Sequence, residues 1–191
     1  HIDAVGDLIM FTSNNSTRQD FIEAMQCGAI INLDDISLIN KIPDMRPNVP
    51  EAFPHLICFR YNPGPERTGN SIIGKPKEAK YGITKDQLIP AYEAAQNRGA
   101  KRFGIHTMVC SNELSYQYMV ATVRRLLELC LTLKEELGIC CEFMNMGGGI
   151  GIPYKPNENV FDIVSLAEEV GHIMDTFEAL HDFCPKLFME S

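Results

Sequence analysis

Short apolar runs alternate with stretches of helical spacing from one end of this chain to the other. Leu8–Ser13 (LIMFTS) predicts a strand, and Thr17–Cys27 a helix with Phe21, Ala24 and Met25 on one face, stopped by Gly28. Ala29–Leu33 (AIINL) predicts the next strand. Asp34-Asp35 then opens a short helix to Ile42, the acidic pair reading as an N-cap rather than a catalytic dyad. His55–Asn62 (HLICFRYN) is a third strand, followed by a Gly/Pro-rich loop over residues 63–84 without periodicity. Helix Lys85–Asn97 closes at Gly99, strand Lys101–Met108 follows, and Glu113–Leu137 is a long amphipathic helix ended by Gly138. Ile139–Met146 predicts a fifth strand, Asp162–Phe183 a helix, and Lys186–Ser191 (KLFMES) a sixth strand.

Six β and five α segments in alternation imply a parallel sheet with right-handed crossovers. A doubly wound sheet and a β/α barrel both satisfy that pattern, and both gather ligands at the carboxyl ends of their strands. The unusual residues fall there. Period two puts Arg60 and Asn62 on one face of the third strand, with Leu56 and Cys58 behind them. It also puts Gly104, His106 and Met108 on one face of the fourth strand and Phe103, Ile105 and Thr107 on the other; in a barrel the first set faces the lumen. Glu190 shares a side with Phe188 at the end of the sixth.

After the fifth strand comes N-M-G-G-G-I-G-I-P, residues 145–153. Adjacent glycines leave backbone N–H groups free to converge on an anion, usually a phosphate. The dinucleotide spacing is missing, and Pro153 with Pro156 prevents an immediate helix, which argues against a Rossmann crossing. Arg60, His106 and Glu190 at three strand tops, beside this nest and Ser111, form a candidate cofactor pocket.

Composition narrows the partners. A net charge of −8 without a basic stripe argues against nucleic-acid binding, and no apolar run reaches the ~20 residues of a membrane span. Seven cysteines lack any C-x-x-C pair and sit mostly in apolar runs, implying a reducing, cytoplasmic setting. Metal ligation is not expected: no H-x-x-x-H pair exists, and His172 and His181 lie nine apart on one helix.

Several ordered motifs now add a resemblance. FTSNNS (11–16), AIINLDDIS (29–37), FRYNPG (59–64), AKYGITKDQL (79–88), AKRFGIHTMVCSNE (100–113), MGGGIGIPYKP (146–156) and FMES (188–191) resemble the barrel domain of pyridoxal-phosphate decarboxylases of the alanine-racemase-like fold, diaminopimelate decarboxylases above all. The resemblance implies a TIM-type parallel β/α barrel that binds pyridoxal 5'-phosphate. In it Gly148 and Gly149 hold the phosphate through backbone amides and Ser111 adds a hydroxyl. Glu190 would pair with the pyridine nitrogen, as the glutamate of an E-P-G-R signature does, and so keep the ring an electron sink. Arg60 matches the arginine of R-x-N-P and supports the site; Lys80 matches the lysine of a K-F-G segment. Relatives carry H-x-H-x-G-S on the fourth strand, with the second histidine on the cofactor ring. Here that position is Met108, and either its thioether or His106 takes the ring face. Ser191 stands for the proline of E-P-G-R.

No lysine is placed to hold the cofactor as a Schiff base: Lys101 and Lys186 begin strands at the far end of a barrel, and the others lie in loops or helices. The resemblance therefore implies an incomplete barrel, with six of eight strands in a single partial domain over residues 1–191, and no catalytic residue of its own. The N-terminal strands and a C-terminal β-domain would be missing, so the chain is expected to be an inactive fragment. For the whole protein it implies decarboxylation of meso-diaminopimelate to L-lysine by a homodimer acting on a small amino acid. Alternatives are another basic amino-acid or polyamine-pathway decarboxylase, a non-catalytic homologue of the barrel, or a domain for another phosphorylated metabolite.

Overall fold

The computed structural model describes residues 6–12, 14–45, 53–64 and 81–190. Lys75, Lys77 and Lys80, most of the 63–84 loop, and Ser191 lie outside the described residues. A six-stranded sheet, parallel throughout, runs in chain order: β1 (Met10–Thr12), β2 (Ile30–Leu33), β3 (Leu56–Tyr61), β4 (Arg102–Thr107), β5 (Phe143–Asn145) and β6 (Lys186–Phe188). Between successive strands lie α1 (Arg18–Gln26), α2 (Leu38–Met45), α3 (Lys85–Asn97), α4 (Tyr116–Leu137) and α5 (Ile163–His181). The strand order never reverses, as it would in a doubly wound sheet, so the winding is that of a barrel. The sheet curls far enough that Asn145 on β5 reaches Met10 Sδ on β1 at 3.3 Å across the concave side. The result is a partial TIM-type barrel.

Alternation along the strands separates two cores. Ile31, Leu33, Ile57, Phe59, Phe103, Ile105 and Met144 point outward into the helices, where α4 offers Met119, Val123, Leu126, Cys130 and Leu133 at intervals of four and three. Each such side chain contributes about 1.5–3 kcal/mol on burial, an upper estimate against a compact unfolded chain. Inward, a smaller cluster of Ile30, Cys58 and Phe143, flanked by Met10, Leu56 and Phe188, fills the base of the lumen. Phe143 lies over Gly104 so closely that a Cβ there would sit 2.1 Å from the ring, and it stacks on Phe188 at 4.7 Å. The two faces expected for β4 are thus the two faces observed.

The local signals explain the ends. Thr17 caps α1 in a reciprocal box with Asp20, whose carboxylate accepts from Thr17 N at 2.7 Å. Gly138 ends α4 at φ +69°. Several boundaries differ from the sequence reading: β1 is only Met10–Thr12, with Leu8 in a 3-10 turn, and β6 ends at Phe188, so Glu190 lies just beyond it. Three further differences have visible causes. The fifth strand shrinks to Phe143–Asn145 because Ile139 N–H turns back to Leu133 O at 3.2 Å, and Ile139 and Cys141 are buried as loop residues. Helix α4 begins at Tyr116 because Glu113 is drawn into a bridge with Ile150. Asp35 lies just before α2, where its carboxylate accepts from Ser37 N at 2.7 Å.

Candidate functional site

Register builds the site before any side chain is considered. Arg60 pairs with His106, His106 with Asn145, and Asn145 with Phe188, so one row crosses β3 to β6 near their carboxyl ends. Thr12 pairs with Asn32 on β1 and β2. Phe188 apart, these inward positions are polar where the base of the lumen is apolar, and Asn32, His106 and Asn145 are all buried.

The glycine segment packs edge-on against the chain leaving β4. A Cβ on Gly147 would lie 2.4 Å from Thr107 O, one on Gly149 2.3 Å from Cys110 O, and one on Gly151 2.6 Å from the Asn112 carbonyl carbon. Met108 Sδ approaches the Gly147 position to 3.2 Å, and Ser111 Cα the Gly149 position to 3.1 Å. Gly147 and Gly149 also take φ of +75° and +95°, which a Cβ disfavours. Glu113 N donates to Gly149 O and Gly151 N to Glu113 O, both at 2.8 Å. Gly147 N donates to Asn145 Oδ1 at 2.8 Å. Part of the expected nest is therefore occupied internally; among the described residues the amides of Gly148 and Gly149 have no partner.

Glu190 closes this arrangement from the last strand. Its backbone N–H donates to Gly147 O at 3.0 Å, and a Cβ on Gly148 would lie 3.0 Å from Glu190 O. The glycine cluster and Glu190 thus share one mouth of the fold. Asn145 Nδ2 donates to Glu190 Oε1 at 3.0 Å, while His106 Nε2 faces the same oxygen at 3.5 Å. His106 is 0% exposed and the Glu190 side chain 39% exposed. The His106 ring facing it, then the Asn145 amide and the charge of Arg60, hold the Glu190 carboxyl below the usual carboxylate range despite its partial burial. At 3.5 Å the His106 contact is too loose for a well-formed hydrogen bond, so His106 Nε2 and Asn32 Oδ1 are buried polar atoms without a good partner. Behind the ring, Asn32 Nδ2 meets His106 Nδ1 at 2.8 Å and Thr12 Oγ1 at 3.3 Å.

Arg60 stands apart from this group. Its guanidinium donates to Asn14 Oδ1 at 2.8 Å and lies 5.7 Å from the centre of the Tyr81 ring. Burial pulls the Arg60 guanidinium below its ordinary range, opposed by the charges of Asp34 and Glu190. Burial likewise raises the Asp34 carboxyl. Between β1 and β6 a cavity of about 460 Å³ is lined by Met10, Thr12, Ile30, Asn145, Phe188 and Glu190 among others. No lysine lines it among the described residues. The sequence reading missed Asn145, Asn32 and Thr12; an asparagine inside each of two apolar runs was the available signal.

Residues 2–191 match the family model described as pyridoxal-dependent decarboxylase, pyridoxal binding domain. The chain belongs to this family. A pyridoxal-binding domain of the decarboxylases accounts for both the barrel winding and the shared mouth, and pyridoxal phosphate is its cofactor. Protein TabA of Pseudomonas amygdali pv. tabaci is 35% identical over 187 residues, 98% of this chain and 42% of that protein. The diaminopimelate decarboxylase of Thermoplasma acidophilum is 31% identical over 165 residues, 85% of this chain and 39% of the relative. Among solved structures, the M. jannaschii diaminopimelate decarboxylase with L-lysine superposes with a TM-score of 0.79 at 25% identity, covering 93% of this chain and 41% of that one. The chain thus spans about two-fifths of the length of these relatives. Among the described residues no helix is long and apolar enough to cross a membrane, and all seven cysteines are free thiols.

Proposed function

We propose that this chain is the cofactor-holding part of an amino-acid decarboxylase that converts meso-diaminopimelate to L-lysine and carbon dioxide. The observation that carries the reading is the 3.0 Å bond from Glu190 N to Gly147 O, which ties a carboxylate and a glycine cradle to one cavity. The residues fit the cofactor's two polar ends. The unpartnered amides of Gly148 and Gly149 and the Ser111 hydroxyl hold its phosphate. Glu190, fixed by Asn145, keeps a proton on the pyridine nitrogen. Met108, whose sulfur lies against Gly147, packs on the ring face, and Arg60, held by Asn14 and Tyr81, supports the rim. When bound, the protonated ring supplies an acceptor for the electrons left behind as carbon dioxide departs.

The Schiff-base lysine comes from outside this chain, and the assembled enzyme is a cytoplasmic homodimer. Support for diaminopimelate comes from the names of relatives such as those of Thermoplasma acidophilum and Methanothermobacter thermautotrophicus, 31% and 30% identical. A second reading, another amino acid as substrate, is favoured by one observation: TabA, at 35%, does not carry that name. The test is carbon dioxide release by a polypeptide containing this chain plus the remaining length of its relatives, offered meso-diaminopimelate, lysine, ornithine and arginine. Turnover of diaminopimelate alone is expected, with none from residues 1–191 in isolation. Turnover of a different amino acid, or none by the long form, overturns the substrate assignment.

A further inference from the structure

The interior network behind Glu190 carries a role that the cofactor contacts do not exhaust. Asn32 is buried on β2, and its amide reaches the His106 Nδ1 and Thr12 Oγ1 positions at 2.8 and 3.3 Å. With Nδ2 pointing this way both amide hydrogens find acceptors, and His106 Nδ1 must present a lone pair. The ring proton then sits on Nε2, the nitrogen 3.5 Å from Glu190 Oε1. The opposite tautomer would aim a nitrogen lone pair at a carboxylate oxygen 3.5 Å away, a repulsion that the Asn145 amide and the Arg60 charge would have to offset. His106 is fully buried, so it works through Glu190 rather than on a bound molecule.

We propose that Asn32 and His106 are positioning residues for Glu190: Asn32 fixes His106 as the Nε2–H tautomer, and that N–H orients the carboxylate, leaving Oε2 for the pyridine nitrogen. The last clause rests on the cofactor reading above; the first does not. Thr12, Asn32, His106 and Glu190 form a relay across β1, β2 and β4 to the end of β6, while Asn145 restrains the same carboxylate from β5. The other groups bearing on Glu190 or close to it are Arg60 from β3, a cation, and Cys58, whose thiol burial keeps protonated.

The test begins without cofactor. Long-range ¹⁵N–¹H correlation on the labelled polypeptide should place the His106 proton on Nε2 and none on Nδ1; a proton on Nδ1 overturns the proposal. This needs no variant, so misfolding cannot obscure it. Carboxyl ¹³C titration then reads Glu190 directly. Its midpoint should rise in His106→Leu and return in His106→Gln, whose amide can accept from Asn32 and donate to Glu190. An unchanged midpoint in folded His106→Leu overturns the proposal. Addition of pyridoxal phosphate separates the two readings. The wild type should bind it about tenfold more tightly than His106→Leu, with a pH-dependent absorbance that differs between them. Equal binding and identical spectra overturn the positioning role. Failure of the wild type to bind, with tautomer and midpoint as expected, overturns the cofactor assignment alone.

Discussion

The two faces of the sheet are built from the same strands and obey opposite rules. On the helix side, Ile31, Phe59, Ile105 and Met144 belong to one buried apolar cluster, and their positions follow from volume. On the concave side, Asn32, His106 and Asn145 are equally buried but are held by direction, Asn32 to His106 and Asn145 to Glu190, with two of their polar atoms lacking good partners. A packed apolar face tolerates any side chain of suitable shape. A buried polar row tolerates only matched donors and acceptors, and each unsatisfied atom there needs a reason.

Substitutions should separate these rules. The largest effect is expected outside: Phe59→Ala removes a fully buried ring and should lower unfolding free energy by about 3–5 kcal/mol in urea titration. Where the variant is still folded, its affinity for pyridoxal phosphate should be that of the wild type. Gly149→Ala should come next, at about 2–3 kcal/mol, because the residue has φ +95° and its Cβ would meet Cys110 O at 2.3 Å. This variant should also lose cofactor affinity by at least about tenfold, measured by fluorescence quenching. Asn145→Ala leaves Gly147 N and Glu190 each short of a partner and should cost about 1–3 kcal/mol, with cofactor affinity falling alongside. If Asn145→Ala loses stability but keeps its affinity, the concave row is merely structural.

The smallest effect concerns acid. The Glu190 carboxyl is held below its ordinary value, so its ionised form stabilises the fold above the usual carboxylate range, and that contribution is lost as pH falls through the folded value. Unfolding midpoints from neutral pH downward should therefore fall more steeply in the wild type than in Glu190→Gln. Parallel curves would mean that His106 and Asn145 do not bias Glu190.

Much of the fold was legible because local chemistry acts locally. Gly28 and Gly138 stop helices at positive φ, and the alternation of Phe103, Gly104, Ile105 and His106 assigns the faces of β4 without reference to its neighbours. What stayed hidden depends on contacts distant in sequence. Glu113 reads as a helix start until Gly149 and Gly151 claim its backbone 36 and 38 residues later, counting from Glu113 to each glycine. The same contacts recast the glycine segment. Gly147, Gly149 and Gly151 recur at period two, and the structure presses that edge onto residues 107–113, a use of the glycines that the reading as an anion nest did not include. Asn32 and Asn145 stand inside apolar runs, but only pairing across β1 to β6 gathers them into one buried row. Arg60, His106 and Glu190 converge on one end as expected, yet Arg60 bonds Asn14 on the rim while His106 lies beneath Glu190.

Gly104 sets the depth of the hollow beneath the polar row. Because it has no side chain, the ring of Phe143 can lie flat against β4 and against Phe188, forming a floor. Adding a single methyl group at 104 would force that ring out of its place. The floor under any guest at the top of the barrel is thus set from below, by a residue with no side chain of its own.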